Sequence, residues 1–395
     1  MSGAPTTKEP PRMQHSIHTA ARRKRRQTIK RLARRGAAVL AIAVSGTTAA
    51  VGFSVAGADG SGPGTVVATG DAKAFGSASG NAITGMARTP SGEGYLLATN
   101  RGAVFAFGDA TFQGSLPAGT SSSIVDIAAT PDGQGYWLVA ADGGIFVFGS
   151  AAFNGSAGST PLNQPIVGMA ATPTGEGYWL VARDGGVFNF GDAPFLGSTG
   201  GTRLNQPIVG MAATPGGGYW LVARDGGIFA FGDATFQGSA GALPLNEPIV
   251  GMASTPTGEG YWLVARDGGI FTYGDAGFHG SLANAVTGPV VDVEGSPSGA
   301  GTWVTIGGRY LGEFELTCYA LRGLTASGVP VRRNGIAVDP RVIPLGTEVY
   351  IAGEGTATAI DTGGLIKGNR IDVWRPSAAE CREFGRQTMP VFGLT

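Results

Sequence analysis

Gly177-Tyr178-Trp179-Leu180-Val181-Ala182-Arg183-Asp184-Gly185-Gly186-Val187-Phe188-Asn189-Phe190 is the stretch whose reading decides the fold of most of this chain. Its first half, Gly-Tyr-Trp-Leu-Val-Ala, recurs around Tyr136, Tyr219 and Tyr261, with a variant at Tyr95 and a worn copy at Thr302-Trp303. The period is 41 or 42 residues throughout. Each copy holds four short apolar pieces separated by turn residues. In the quoted copy these are Ile166 to Ala170, Tyr178 to Ala182, Val187 to Phe190 and Phe195 to Ser198. Asp184-Gly185-Gly186, between the second and third, carries the turn chemistry of a hairpin. Four short strands in about 42 residues match the size of a β-propeller blade.

The ends of the array point to closure. It opens with a half-copy, Thr65-Val66-Val67-Ala68 followed by Phe75-Gly76-Ser77, which resembles the third and fourth pieces. It ends with Val290-Val291-Asp292-Val293 and Trp303-Val304-Thr305-Ile306, which resemble the first and second. Joining the halves completes a sixth blade and removes the open edges of a linear array. The expectation is an all-β chain with a six-bladed propeller over 64–308, its rival being an open β-solenoid. The repeated Tyr, Trp and Phe are read as core at period 2 rather than as a glycan-stacking surface. The repeated Asp142, Asp184, Asp225 and Asp267 are read as turn formers rather than cation ligands. A binding or spacing module for an unidentified protein or glycan is as far as these repeats go.

Composition narrows the chemistry. The chain of 395 residues has 69 Gly and 23 Pro, yet 43% of it is apolar, enough for a sizeable core. Net charge is zero only by cancellation. Residues 1–35 carry 11 basic and 1 acidic side chain, 59–308 carry 7 and 18, and 309–395 carry 10 and 9. An acidic body makes nucleic acid an improbable partner. The only histidines are His15, His18 and His279, the first two in the basic leader. Ser-His-Asp and Cys-His hydrolases need a histidine base, and zinc hydrolases usually need histidine ligands. No metal and no cofactor is expected.

Arg22-Arg23-Lys24-Arg25-Arg26 and the basic residues up to Arg35 precede an uncharged stretch from Gly36 to Ala58 that ends Ala56-Gly57-Ala58. A basic n-region, an apolar h-region and a small-x-small end read as an export signal over 1–58. An uncleaved membrane anchor is the other option, and both place the remainder outside the cell, secreted or at its surface.

The repeat stops after Gly308. Strand-like pieces follow at Glu315 to Tyr319, Gly335 to Val338, Glu348 to Ile351, Thr356 to Ile360 and Arg370 to Trp374. A short helix is expected from Ser377 to Gly385, with Ser377 as N-cap and Glu380 at the capping-box position. Ala337-Val338-Asp339-Pro340-Arg341-Val342-Ile343-Pro344-Leu345-Gly346-Thr347 and Asp361-Thr362-Gly363-Gly364-Leu365-Ile366-Lys367-Gly368-Asn369-Arg370-Ile371-Asp372 resemble the three-aspartate (3D) domain. That domain occurs in membrane-bound lytic transglycosylase A and in stationary-phase survival proteins. Asp339, Asp361 and Asp372 look like its namesake aspartates, Thr317-Cys318-Tyr319 is similar to its Thr-x-Tyr, and Leu365 stands where Ala is commoner. The resemblance implies a double-psi β-barrel over 309–395 that cleaves the glycan strands of peptidoglycan.

Most glycosidases use two carboxylates. A lytic transglycosylase needs one acid/base residue, because the sugar's own C6 hydroxyl attacks and leaves a 1,6-anhydro end. The resemblance implies that Asp372 is this residue. Its apolar neighbours Ile371, Val373 and Trp374 would raise its pKa if it faces a groove, and Asp361 would tune it or bond a reacting hydroxyl. Thr317, Tyr319, Asp339, Gly363, Gly364, Lys367 and Asn369 are the expected substrate contacts, with Gly363, Gly364 and Gly368 allowing close approach of a sugar. Each has a plainer reading. Asp339-Pro340 and Asp361-Thr362-Gly363-Gly364 are ordinary turns, Asp372 an outward strand residue, and Lys367 a solvated loop charge. Two further functions stay open, a hydrolase pairing Asp361 with Asp372 and a non-catalytic wall-binding or adhesion protein. Cys318 and Cys381, the only cysteines, are expected as a disulfide in an exported chain.

Overall fold

A computed structural model describes residues 53–56, 63–117, 123–283, 285–286, 288–352 and 354–394. The basic leader and the possible cleavage site after Ala58 lie outside them. Among the described residues no helix is long and apolar enough to cross a membrane.

The chain begins with β1 (Phe53–Ala56) and β2 (Thr65–Gly70). Five three-stranded antiparallel sheets follow. They are β3 (Ile83–Arg88), β4 (Gly94–Thr99) and β5 (Val104–Gly108); β6 (Ile124–Ala129), β7 (Gly135–Ala140) and β8 (Ile145–Gly149); and β9 (Ile166–Ala171), β10 (Gly177–Ala182) and β11 (Val187–Gly191). Then come β12 (Ile208–Ala213), β13 (Tyr219–Ala223) and β14 (Ile228–Phe231), and β15 (Ile249–Ser254), β16 (Gly260–Ala265) and β17 (Ile270–Gly274). The array ends with β18 (Val290–Gly295) and β19 (Gly301–Ile306). These two pair with β2 and β1 in a sixth sheet of order β1-β2-β19-β18. The innermost strands β3, β6, β9, β12, β15 and β18 touch in sequence, and β18 touches β3. The ring is therefore closed, by the pairing of its two ends.

The middle strand of each blade is buried along its whole length, because each sheet packs a face on both neighbours. Trp137, Trp179, Trp220, Trp262 and Trp303, with Tyr95, Tyr136, Tyr178, Tyr219 and Tyr261, are the largest fully buried side chains. The Trp of one blade packs on the Tyr of the next, as Trp179 does on Tyr219 at a centroid distance of 5.3 Å. The turn aspartates serve the backbone. Asp184 Oδ1 accepts from Gly186 N at 3.0 Å, and Gly185 takes the positive φ of +79° that the hairpin needs. Asp142, Asp225 and Asp267 do the same.

Two details differ from the sequence reading. The fourth piece of each repeat is not a strand, because its backbone is captured by buried aromatic side chains instead of a ladder. Trp179 Nε1 donates to Pro194 O at 2.7 Å, and Tyr219 of the next blade donates its hydroxyl to Gly197 O at 2.7 Å. Among the described residues only the closing sheet has a fourth strand, and it is β1, which falls inside the stretch read as leader. The phenylalanine of the fourth piece is also no core residue. Phe112, Phe153, Phe195, Phe236 and Phe278 are more than half exposed.

Beyond the ring the chain forms a closed six-stranded barrel of order β20-β24-β21-β23-β22-β25. Its strands are β20 (Arg309–Tyr319), β21 (Gly335–Ala337), β22 (Glu348–Ile351), β23 (Gly355–Asp361), β24 (Arg370–Trp374) and β25 (Gln387–Gly393). Pairs β20/β24 and β21/β23 are parallel, and the remaining pairs antiparallel. Phe314, Leu316, Ile336, Val349, Ala359, Ile371, Val373 and Val391 fill the interior. One helix, α1 (Ala378–Phe384), starts at the Ser377 cap, whose hydroxyl accepts from Glu380 N at 3.2 Å. The Cys318–Cys381 disulfide ties it to β20.

The barrel rests on the propeller through the β22–β23 hairpin. Glu247 takes Thr356 N at 3.0 Å and the Thr356 hydroxyl at 2.7 Å, while Arg266 Nη1 donates to the same hydroxyl at 3.1 Å. Gly355, at φ +87°, passes so close to the Glu247 carboxylate that a Cβ would collide with it.

Candidate functional site

Strand β24 and the middle of β20 alternate between buried and partly exposed residues, and the alternation decides which face carries chemistry. Leu316 in β20, and Ile371 and Val373 in β24, point inward, so Thr317 and Asp372 point outward. Thr317 lies opposite Asp372 in the β20/β24 register, and Asp372 lies opposite Ala337 of β21. On the other side of β21, Ala337 lies opposite Asp361. That last pairing depends on a bulge. Ile336 faces Ala359 but Ala337 faces Asp361, so one extra residue in β23 brings Asp361 beside the outward row.

Thr317, Asp372, Ala337 and Asp361 thus form one row across four adjacent strands. Strand spacing of about 4.8 Å puts the two aspartate Cα atoms roughly 10 Å apart, with Ala337 between them in the register. Ala337 is buried although it shares the row, and the segment between β20 and β21 is bonded to the neighbouring strand β23. Ala326 N of that segment donates to Asp361 Oδ1 at 2.9 Å, and the Ser327 hydroxyl donates to Ile360 O at 2.7 Å. Thr362 N adds a second donor to Asp361 Oδ1 at 2.8 Å.

Asp372 is the less committed carboxylate of the two. The Thr317 hydroxyl donates to its Oδ1 at 2.8 Å. Burial raises its pKa above the ordinary carboxylate value, opposed by the Thr317 bond and more weakly by Arg370. Two residues along the same face, Tyr319 lies opposite Trp374. The Tyr319 hydroxyl is buried without a hydrogen-bond partner, and burial beside Asp361 and Asp372 pushes its pKa up to about 12. Trp374 anchors the segment between β20 and β21 by donating Nε1 to Leu321 O at 2.7 Å. On the other flank Arg370 forms an ion pair with Glu315 at 2.7 Å. A half-buried acid, a hydroxyl that orients it, a second carboxylate and an aromatic wall make a site able to exchange a proton with a bound polyol.

The remaining sequence candidates scatter. Asp339 is only 2% exposed, and its carboxylate takes Arg341 Nε at 3.1 Å, Arg341 Nη2 at 2.7 Å, Arg341 N at 3.1 Å and Gly368 N at 2.9 Å. These bonds hold its carboxyl well below the usual range. It staples two loops and keeps no face for a substrate. Gly363 accommodates the Ile366 side chain, whereas Gly364 faces open space. Lys367 and Asn369 are exposed, Asn369 Nδ2 reaching Glu313 O at 3.3 Å, and Leu365 is 85% exposed at the loop tip.

Sequence reading missed a second set of carboxylates, on the innermost strands of the ring. Asp126 and Asp292 stand where the other blades have Gly85, Gly168, Gly210 and Gly251. Each reaches the next blade, Asp126 Oδ2 taking Met169 N at 3.0 Å and Asp292 Oδ2 taking Met86 N at 2.8 Å. Burial pushes Asp292 and Glu294 up to about 7, and burial plus Asp292 raises Asp126. The signal was available, since these are the two departures from Gly at one repeat position. They are fully engaged as inter-blade ties, and among the described residues no three metal-ligating side chains cluster.

The family model described as "3D domain" matches residues 334–395, so the barrel carries a 3D domain, as its aspartate spacing indicates. The chain is 51% identical over 75 residues to the cell wall-binding protein YocH of Bacillus subtilis, covering 18% of this chain and 26% of that protein. It is 43% identical over 82 residues to the putative cell wall shaping protein YabE of Bacillus subtilis, covering 20% of each. The chain thus spans about a quarter and a fifth of these two relatives' length. Among solved structures, the β-propeller domain of Myceliophteria thermophila Cps50 (Swd1) superposes with a TM-score of 0.40 at 11% identity. That match covers 61% of this chain and 92% of that one.

Proposed function

We propose that the barrel cleaves the glycan strands of the bacterial cell wall as a lytic transglycosylase at an exported or surface-held protein, with Asp372 as general acid and base. The observation that carries this reading is the row Thr317–Asp372–Ala337–Asp361, in which one carboxylate has a raised pKa and an orienting hydroxyl. Asp372, protonated, gives its proton to the glycosidic oxygen as the bond to C1 breaks. Its carboxylate then takes the proton of the C6 hydroxyl whose oxygen closes on C1. The acid is regenerated, no water is consumed, and a 1,6-anhydro end results. Asp361, its Oδ1 held by two backbone amides, keeps its other oxygen for a substrate hydroxyl. The relatives named for wall binding and wall shaping support the choice of polymer.

A non-catalytic wall-binding role is the second reading, favoured by the similarity to YocH, a cell wall-binding protein. Product identity separates them. The full chain is incubated with purified peptidoglycan and the soluble fragments are identified by mass spectrometry. Anhydro ends are expected. Reducing ends alone would replace the proposal with a hydrolase pairing Asp361 and Asp372, and no fragments would leave the binding role.

A further inference from the structure

The phenylalanine that recurs in five of the fourth segments is a repeated feature of the propeller that its packing leaves unused. Phe112, Phe153, Phe195, Phe236 and Phe278 are 51–60% exposed and recur at 41 or 42 residues. The equivalent position on the closing sheet is Ala74, between Lys73, whose carbonyl accepts from Trp303 Nε1, and Phe75, whose N–H donates to the Tyr95 hydroxyl. Five of the six blades thus carry the ring, and these five rings join no core cluster. The residue after each drifts through Gln113, Asn154, Leu196, Gln237 and His279, but the phenylalanine does not change.

Its backbone is held from both sides. Before Phe153, Ala152 O accepts from Trp137 Nε1 at 2.8 Å; after it, Asn154 N donates to the Tyr178 hydroxyl of the next blade at 3.2 Å. Phe236 sits likewise between Trp220, bonded to Thr235 O at 2.8 Å, and Tyr261, bonded to Gln237 N at 3.2 Å. An exposed ring on an immobilised backbone is a preorganised contact, since little ordering remains to oppose binding.

We propose that these five rings are stacking platforms for a neutral glycan polymer. The rings stand one to a blade, so they do not merge into the contiguous apolar patch that a protein or membrane partner requires. A pyranose presents a small C–H face of the size one phenyl covers, and a polymer presents that face repeatedly. The propeller's 18 acidic against 7 basic side chains over 59–308 repel phosphate-rich polymers and anionic lipid surfaces. Several weak contacts on one polymer add through effective concentration. The choice of glycan among neutral polymers rests on the wall reading of the barrel; the platforms themselves do not.

The test uses the purified full chain, a soluble β-1,4-linked N-acetylglucosamine hexamer and insoluble purified peptidoglycan. Wild type is compared with Phe195→Ala, with all five phenylalanines changed to Ala, and with all five changed to Trp. Thermal midpoints equal to wild type establish that the variants fold. One Ala should change retention on the insoluble wall by no more than about twofold, and five together should lower it at least about tenfold. The five-Trp protein should bind at least as well as wild type, and fragment release from the soluble hexamer should be unchanged in all variants. Retention of the five-Ala protein at the wild-type level overturns the proposal. So does a loss confined to self-association by sedimentation, or to binding of phosphatidylglycerol vesicles. If no fragments form but retention still depends on the rings, the barrel reading fails and the platforms stand. If fragments form and retention ignores the rings, the reverse holds.

Discussion

In the propeller the repeated aspartates share a few structural fates, while in the barrel three aspartates have three different ones. Asp142, Asp184, Asp225 and Asp267 each close the same hairpin on a glycine amide two residues on. Asp192 and Asp275 each take two threonine hydroxyls from the neighbouring turn. In the barrel Asp339 is stapled by Arg341 and Gly368, Asp361 is capped by two amides, and Asp372 is held by one hydroxyl and raised in pKa. Repetition fixes these carboxylates into rigid structural roles. Proton transfer needs the opposite, a partly buried carboxyl with few donors. In the propeller the Asp292 carboxyl, also raised in pKa, is taken up by backbone amides of the next blade and its own strand, whereas Asp372 in the barrel has one hydroxyl donor.

Destabilising each region separately should sharpen that contrast. Trp179→Ala removes a fully buried indole and its bond to Pro194 O, and should cost about 3–5 kcal/mol in the propeller transition while leaving the barrel's unchanged. Calorimetry showing a loss in both transitions would mean that the two regions unfold as one. Removing the disulfide by Cys318→Ala with Cys381→Ala should lower the barrel transition alone, by about 2–4 kcal/mol.

The two regions should also answer pH in different ways. Asp292 and Glu294 have folded pKa values raised to about 7. Their contribution is complete below the ordinary carboxylate range and is lost as pH rises through about 7. Asp339 is shifted downward. Its contribution is present above the ordinary carboxylate range and is lost only as pH falls well below it. Asp292→Asn should therefore flatten the fall in the propeller's thermal midpoint between pH 5 and pH 8, while Asp339→Asn should leave that slope, lower the barrel's midpoint at neutral pH and flatten the barrel's fall in acid. The smallest effect is expected from Thr317→Val. It removes the bond that lowers Asp372, so the alkaline limb of the rate profile should move to higher pH.

Much of the ring was legible because its pattern repeats. Tyr178 and Trp179 mark a buried strand, Asp184-Gly185-Gly186 marks its turn, and the two half-copies mark closure. The fourth pieces misled because their apolar residues look like strand residues, while the groups that divert them, Tyr and Trp, lie 15 to 24 positions away or in another blade. Period 2 could not tell the buried Tyr178 from the exposed Phe195, since exposure depends on whether a neighbouring strand pairs. In the barrel, the aspartate spacing led to the right region and the capping box to α1. The staple at Asp339 needed Gly368, 29 residues on, and the placement of Asp361 needed a bulge in β23. Neither has a local signal.

The assignment of one aspartate as acid and base is the point on which the account turns. Its most direct test is the rate at which the full chain releases 1,6-anhydro ends from purified peptidoglycan, for wild type, Asp372→Asn and Asp361→Asn. Loss of the acid should lower the rate of Asp372→Asn by about 10²–10⁴-fold, with a smaller loss for Asp361→Asn. An Asp372→Asn protein that releases these ends at the wild-type rate, or a larger loss for Asp361→Asn, would contradict it.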